Sequence, residues 1–460
     1  MAKQLSSTVV ILGSGPGGSI VAKTLADAGI HVLVLEKGPD IKQSEKEPYS
    51  LDEMNRQYKQ KGMTVALGSP VINYVEAQTL GGGSEINAGL YHRLPKHILS
   101  QWQTDYGYSV SSAQLDACYN WCEDFLSISP SKTSAKTALK LADAAKANNW
   151  TAQKVPRWYK NDIKQSMSEL VYKQSNITVI TNANATKLKK KNGKWHITAS
   201  HNQTILHIEA TSVFVSMGAI QTPHFLKRNG INHNIGNTLA CHPMIKCAVE
   251  YENDLTDDQL IGDIQVKDVS PHYSFGCSIS TQPFLWMALQ HYIKKDATLL
   301  SRSKNMAMFY VTAPSETNGR VLSVPGVSNP LVWQNTSNKT AQHLVDGINT
   351  LAAACLKTGA KAVYPILKGA TPLTHTNQTI TCKKQQLQLS TIHLFSSCPA
   401  GDTQHKTAVN SDGNVWGHPG LYIADGSVVC TPPTVNPQGT IMAMCRHIAL
   451  QYIKQFKLKD

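Results

Sequence analysis

The chain has 460 residues, of which 41% are hydrophobic and 16% charged, with a formal net charge of +13. That much apolar material builds a large core and more than one domain, and the absence of long low-complexity stretches excludes wholesale disorder. The opening residues, Met1 to Thr8, are too polar for a signal peptide and no apolar run is long enough for a transmembrane segment, so a cytoplasmic location is expected, free or peripheral to a membrane. Excess positive charge suits nucleic acid or an acidic surface. The lysines are dispersed, however, and no helix-turn-helix, zinc-finger or RNA-binding pattern accompanies them, so no nucleic-acid partner is expected. The 10 cysteines form no C-x-x-C pair. Cys118 and Cys122, four apart, share a helix face without a second ligand pair, and read as buried apolar groups rather than metal ligands.

Thr8-Val9-Val10-Ile11-Leu12 predicts a short buried strand. It runs into Gly13-Ser14-Gly15-Pro16-Gly17-Gly18, a G-x-G-x-x-G turn, then a helix of small residues from Ser19 to Ala28 that Gly29 terminates. A second apolar strand, His31 to Leu35, ends at Glu36, with Lys37 beside it. Gly13 permits the tight turn, Gly15 admits a pyrophosphate to the helix N-terminus, and Gly18 lets helix and strand approach. Glu36 accepts from ribose hydroxyls. The turn in this context predicts a dinucleotide site, and by itself it does not separate FAD from NAD.

Leu80-Gly81-Gly82-Gly83-Ser84-Glu85-Ile86-Asn87-Ala88-Gly89 is too rich in glycine for a regular element. Its successive backbone N–H groups suit a second part of a long cofactor, with the Asn87 amide as a further donor. The basic run Lys187 to Lys191 precedes Asn192-Gly193, which reads as a hairpin turn with a solvated face. Near the C-terminus, a strand from Leu421 ends at Asp425 and Gly426. A helix is expected to start at Pro437, with Asn436 as its N-cap.

Together these segments resemble the glucose–methanol–choline (GMC) family of FAD oxidoreductases. The resemblance lies in Gly13 to Glu36, Leu80 to Tyr91, Ser216-Met217-Gly218-Ala219-Ile220-Gln221-Thr222-Pro223 and His393 to the C-terminus, with a weaker match at Gly236 to Pro243. It implies an α/β fold: a discontinuous Rossmann-like FAD-binding domain with an inserted α+β, sheet-based substrate domain. The FAD-binding segments are expected at 1–110, 161–250 and 391–460, and the substrate domain at 111–160 and 251–390. Cofactor contacts are implied at Gly13 to Gly18, Glu36, Lys37, Gly81 to Ser84, Asn87 to Gly89, Ala185 (beside the adenine), Gly218, Asp425, Gly426, Asn436 and Pro437.

The resemblance also implies hydride transfer from a CH–OH group of an alcohol, sugar or sterol-like substrate to flavin N5, with His393 as base and Asn436 as the second catalytic position. The family pattern after the histidine is H-x-x-G-T-C-R-M-G. This chain keeps His393, Cys398 and Gly401 but has Ser396, Ser397, Pro399 and Ala400 at the intervening places. The next histidines in reserve are His242 and His418. Some family members bond FAD through a histidine just before the asparagine of the second loop. Ile86 stands there, so non-covalent FAD is expected. Three readings remain open: a dehydrogenase using a quinone or a redox protein as electron acceptor, an oxidase using oxygen, and a non-oxidising lyase or FAD-binding protein.

Overall fold

The computed structural model describes residues 2–45, 47–161, 163–257 and 260–457. The first strand runs from Ala2 to Leu12, and its last four residues are completely buried. Strands buried on both sides pair in parallel, with helices covering the faces. Accordingly Val9–Leu12 pairs in parallel with Val32–Leu35 on one side and with the end of Thr204–Val215 on the other. Ile177–Ile180 and Leu421–Ile423 extend the parallel set at its two ends. The basic run lies on Ala183–Lys191, which turns at Asn192-Gly193 into Lys194–His201, and this hairpin adds antiparallel to Thr204–Val215. Among the described residues this sheet has seven strands.

The first helix spans Pro16–Asp27, three residues earlier than expected, because Pro16 suits the first turn. Gly29, at φ +81°, ends it: the Gly29 N–H donates to the Ala26 carbonyl and Ile30 to Leu25. The C-terminal helix, Gln438–Lys457, packs on this first helix.

Among the described residues a second sheet of nine strands lies in the order Thr64–Ala66, Ile72–Tyr74, Leu389–Thr391, Met244–Glu250, Met306–Thr312, Ser274–Cys277, Ile264–Val266 and Ala152–Lys154, with Ala362–Pro365 also pairing to Met244–Glu250. Side chains alternate across it. Ile245, Cys247, Val249, Phe275, Phe309 and Val311 make one face apolar, and the helices Lys136–Lys146 and Asn338–Lys357 cover it. The registered row Lys246, Tyr310, Gly276 and Gln265 faces the other way.

The sheets divide the chain differently from the expected segments. Helix Ser112–Leu126, expected with the substrate domain, packs on the C-terminal helix, and its Leu115, Cys118, Tyr119 and Cys122 join the first sheet's core. Strands Thr64–Ala66, Ile72–Tyr74 and Met244–Glu250, expected with the FAD segments, belong to the second sheet. Amphipathic spacing shows that a face is buried but not what covers it. All 10 cysteines are free thiols, and Cys118 and Cys122 are buried. No helix among the described residues is long and apolar enough to cross a membrane.

Candidate active site

A cavity of about 480 Å³ runs along the C-terminal ends of the first sheet's parallel strands. Glu36, Lys37 and Ala183 to Thr186 line it together. The glycine turn Gly13 to Gly17 also lines it, as do Ile392, Leu394 and Ile441. Gly13 has φ +97°, and a Cβ there would sit 2.4 Å from the Ser216 carbonyl oxygen. A Cβ on Gly18 would meet the Gly13 oxygen at 2.2 Å, while one on Gly15 would meet nothing within 4 Å. Gly13 and Gly18 therefore serve the fold, whereas Gly15 opens directly into the cavity. Gly15 also precedes a helix with no side-chain cap, which leaves first-turn N–H groups free for an anion.

Glu36 is buried, and its carboxylate accepts from Ser14 N (3.1 Å), Ser14 Oγ (2.6 Å) and Gly38 N (2.7 Å). Burial raises its pKa, against the lowering effect of those bonds. Burial, with Lys59 nearby, lowers that of Lys37. Asp425 accepts from the N–H of Gly218 (2.8 Å) and of Ser427 (2.8 Å), pinning the turn of Gly218 and Gly426 against the cavity.

The second glycine segment is not irregular throughout: Gly83–Ile86 forms one helical turn, begun by Gly82 at φ +58° and tied by Ser84 Oγ to the Gly81 carbonyl. Gly82 and Gly83 line the cavity, and Gly82 packs directly against Gly15. Gly81, Ser84, Asn87, Ala88 and Gly89 do not line it. The Asn87 amide donates to Gln438 Oε1 and its carbonyl oxygen accepts from Gly89 N (2.9 Å), so it joins this loop to the C-terminal helix. Gly89 leaves room for Trp158 and Tyr159. Pro437 also lies outside the cavity wall. The helix begins at Gln438, with the Pro437 carbonyl accepting from Ile441 N (2.9 Å). Asn436 is thus one residue too early to be its cap, and its side chain is spent elsewhere.

That side chain meets His393: Asn436 Nδ2 lies 3.3 Å from His393 Nε2. On its other side, Gln265 Nε2 donates to Asn436 Oδ1 at 2.8 Å and to the Tyr310 hydroxyl at 2.9 Å. The Gln265 bond fixes which end of the amide faces the histidine. His393 Nε2 therefore accepts, and its proton sits on Nδ1, which points at His242 Nδ1, 3.1 Å away. Burial, then His242 and His92, hold the His393 imidazole well below the usual histidine range. Burial pushes His242 down to about 4. His92, whose Nε2 accepts from Lys267 Nζ at 2.9 Å, is pushed down to about 3, by burial first and then by Lys267. His418 lies by Trp195, and His405 is not part of this cluster.

His393 and Asn436 are brought together from segments 43 residues apart. Gln265, His92 and Lys267 carry no motif that would single them out in the sequence. The same is true of Lys59, Glu76, His224 and Arg228 on the cavity wall. Gln221, also on the wall, falls inside the Ser216 to Pro223 segment.

Family models agree with this architecture. The two GMC oxidoreductase models, N- and C-terminal, match residues 54–244 and 328–445, and an NAD(P)-binding Rossmann-like model matches 11–47. The chain belongs to the GMC oxidoreductase family, whose members are flavoproteins. It is 28% identical to an uncharacterized GMC-type oxidoreductase, y4nJ, of Sinorhizobium fredii, over 97% of this chain and 94% of that one. It is 22% identical to the long-chain-alcohol oxidase FAO4A of Arabidopsis thaliana, over 99% of this chain and 70% of that protein. The solved structure of a pyridoxine 4-oxidase from Mesorbium loti superposes with a TM-score of 0.74 at 14% identity, covering 97% of this chain and 99% of its own.

Proposed function

We propose that the protein oxidises a CH–OH group of a small-molecule substrate with non-covalently bound FAD, using His393 as general base and Asn436 to hold the substrate oxygen. The observation that carries this reading is the pairing of His393 Nε2 with Asn436 Nδ2 at 3.3 Å, with the chain neighbours of His393, Ile392 and Leu394, lining the cavity. An acceptor and a donor that close can share one hydroxyl oxygen, the base taking its proton as the amide donates to it. Burial keeps the imidazole unprotonated at neutral pH, so the Nε2 lone pair is free to receive a proton. Its Nδ1–H bond to His242 supports the ring when Nε2 receives the proton.

The cavity fits FAD. Glu36 and Ala185 would hold the adenosine end, and Gly15 with the first-turn amides, backed by Gly82 and Gly83, the pyrophosphate. Gly218 and Gly426 would lie along the rest. When bound, the flavin supplies the hydride acceptor. Ile86 offers no nucleophile for a covalent bond, so acid precipitation should release all FAD to the supernatant. Flavin retained in the washed pellet would refute non-covalent binding.

The reading is tested by anaerobic flavin bleaching with a panel of alcohols, followed by the same assay on His393→Ala. Bleaching that is slowed in the variant while FAD remains bound supports it. Bleaching at the parent rate moves the base elsewhere. Repeating the assay in air distinguishes oxygen from a quinone or redox protein as electron acceptor.

A further inference from the structure

The polar face of the second sheet carries two partly buried lysines, Lys246 and Lys267, and no described carboxylate pairs with either. Lys267 follows strand Ile264–Val266 and stands two residues from Gln265, hence on the same face as the residue that holds Asn436. Lys246 is registered with Tyr310, whose hydroxyl meets that same Gln265. Three strand spacings, about 14 Å, separate the Lys246 strand from that of Gln265 and Lys267, with the Tyr310 strand between them. Glu250 takes Arg302 (2.9 Å), and Asp263, buried with both carboxylate oxygens lacking a hydrogen-bond partner, lies 4.0 Å from Lys154 and not against Lys246 or Lys267. Burial alone brings each lysine down to about 8, with no anion opposing the effect.

His92 adds a second sign. Its Nε2 accepts from Lys267, which puts its proton on Nδ1, and that buried nitrogen has no partner. A lysine with N–H groups to spare and an orphaned imidazole donor form a cationic, donor-rich corner beside the His393–Asn436 pair. Buried cations and donors call for an acceptor of opposite charge.

We infer that the alcohol oxidised here carries an anionic group, carboxylate or phosphate, bound by Lys267 and His92 with Lys246 as the second cation of the same sheet face. This rests on the alcohol-oxidising reading above and narrows its substrate class. The test uses the FAD-loaded enzyme with 1-hexanol, 6-hydroxyhexanoate and 6-hydroxyhexyl phosphate, read as anaerobic flavin reduction. The acidic alcohols should have the higher kcat/KM by about ten- to a hundredfold, the worth of one charge-assisted hydrogen bond, and the better of the two identifies the anion. Lys267→Met should bring that ratio towards one, and Lys267→Arg should restore most of it.

A second readout needs no turnover. Hexanoate, which has no hydroxyl to oxidise, is titrated calorimetrically into the parent and into Lys267→Met, and should bind at least about tenfold more weakly to the variant. Equal kcat/KM for hexanol and the acidic alcohols, with hexanoate binding indifferent to both Lys267→Met and Lys246→Met, would overturn the inference. If no alcohol reduces the flavin, the oxidation reading fails, and the hexanoate titration still decides whether the anion site exists.

Discussion

In the first sheet, the glycine turn and Glu36 that line the cavity come from one short piece of chain: strand, turn, helix and Glu36 all lie within residues 2–36. In the second, the row that ends on Asn436 draws Lys246, Gly276, Gln265 and Tyr310 from four strands registered side by side. The first region is set by turn chemistry, which is local, and the second by pairing register, which is not. The two should therefore fail differently. Damage at the glycine turn should remove the cofactor in one step. Damage on the sheet face should leave the cofactor and degrade the orientation of groups around the substrate.

The largest effect separates two glycines two residues apart. A side chain at Gly15 enters open cavity from an ordinary φ of −62°, whereas one at Gly17 would press on the Ala424 carbonyl oxygen at 2.2 Å. Gly15→Val should fold, at a cost of about 1 kcal/mol for a poor N-cap, and bind no FAD. Gly17→Val should lose the fold as well. Denaturant melts of the FAD-free proteins together with flavin spectra check this. A full flavin spectrum for Gly15→Val would remove the pyrophosphate from this turn.

Next comes His393, whose loss as general base should slow flavin reduction about a hundred- to ten-thousandfold. His393→Ala should keep its FAD, since the histidine is not part of the cavity wall. Stopped-flow reduction with a true substrate measures the effect, and His405→Ala, outside the site, is the control. Loss of both FAD and rate would make His393 a structural residue of the cofactor site instead.

What was legible in the sequence follows the same division. Glycines at fixed spacing after an apolar strand have one physical use, so Gly13, Gly15 and Gly18 could be read individually. His393 and Asn436 were reached through family register, and on side-chain chemistry alone they are one histidine and one asparagine among many. The mistaken cap shows why: Asn before Pro before a helix satisfies every local rule, yet the partner that takes Asn436 is Gln265, 171 residues away. Asn87 fails in the same way, its amide spent on Gln438 across 351 residues. Hydrogen bonds between distant segments leave no periodicity, and the cations of the second sheet face could not be placed before the register was known.

Acid should expose the buried histidines. His242 is neutral in the folded protein, at about 4 against 6.5 unfolded, so between those values the unfolded chain binds the extra proton. Its contribution is fully present above pH 6.5 and is lost as pH falls to about 4, amounting to about 3 kcal/mol. Denaturant unfolding at a series of pH values should show that decline, and His242→Asn should flatten part of it. Stability that stays level from pH 7 to 4.5 would mean the histidine is already solvated.

The smallest effect tests the joint between the two regions. Gln265 donates to Asn436 Oδ1, and this fixes the Asn436 amide with its N–H toward His393. Gln265→Leu removes that donor and should lower kcat/KM about tenfold, the worth of one hydrogen bond, with FAD content unchanged. Gln265→Glu is closer in shape and should nonetheless be worse. A carboxylate only accepts, so it turns the Asn436 amide over and presents Oδ1 to His393 Nε2. Two acceptors then face each other unless the imidazole takes a second proton, which raises its pKa toward neutrality and moves the acid limb of kcat/KM upward. Packing alone predicts the opposite order, with Glu tolerated better than Leu. The pH profile of the two variants, measured on enzyme with equal flavin content, therefore decides whether this strand orients the site or merely fills space beside it.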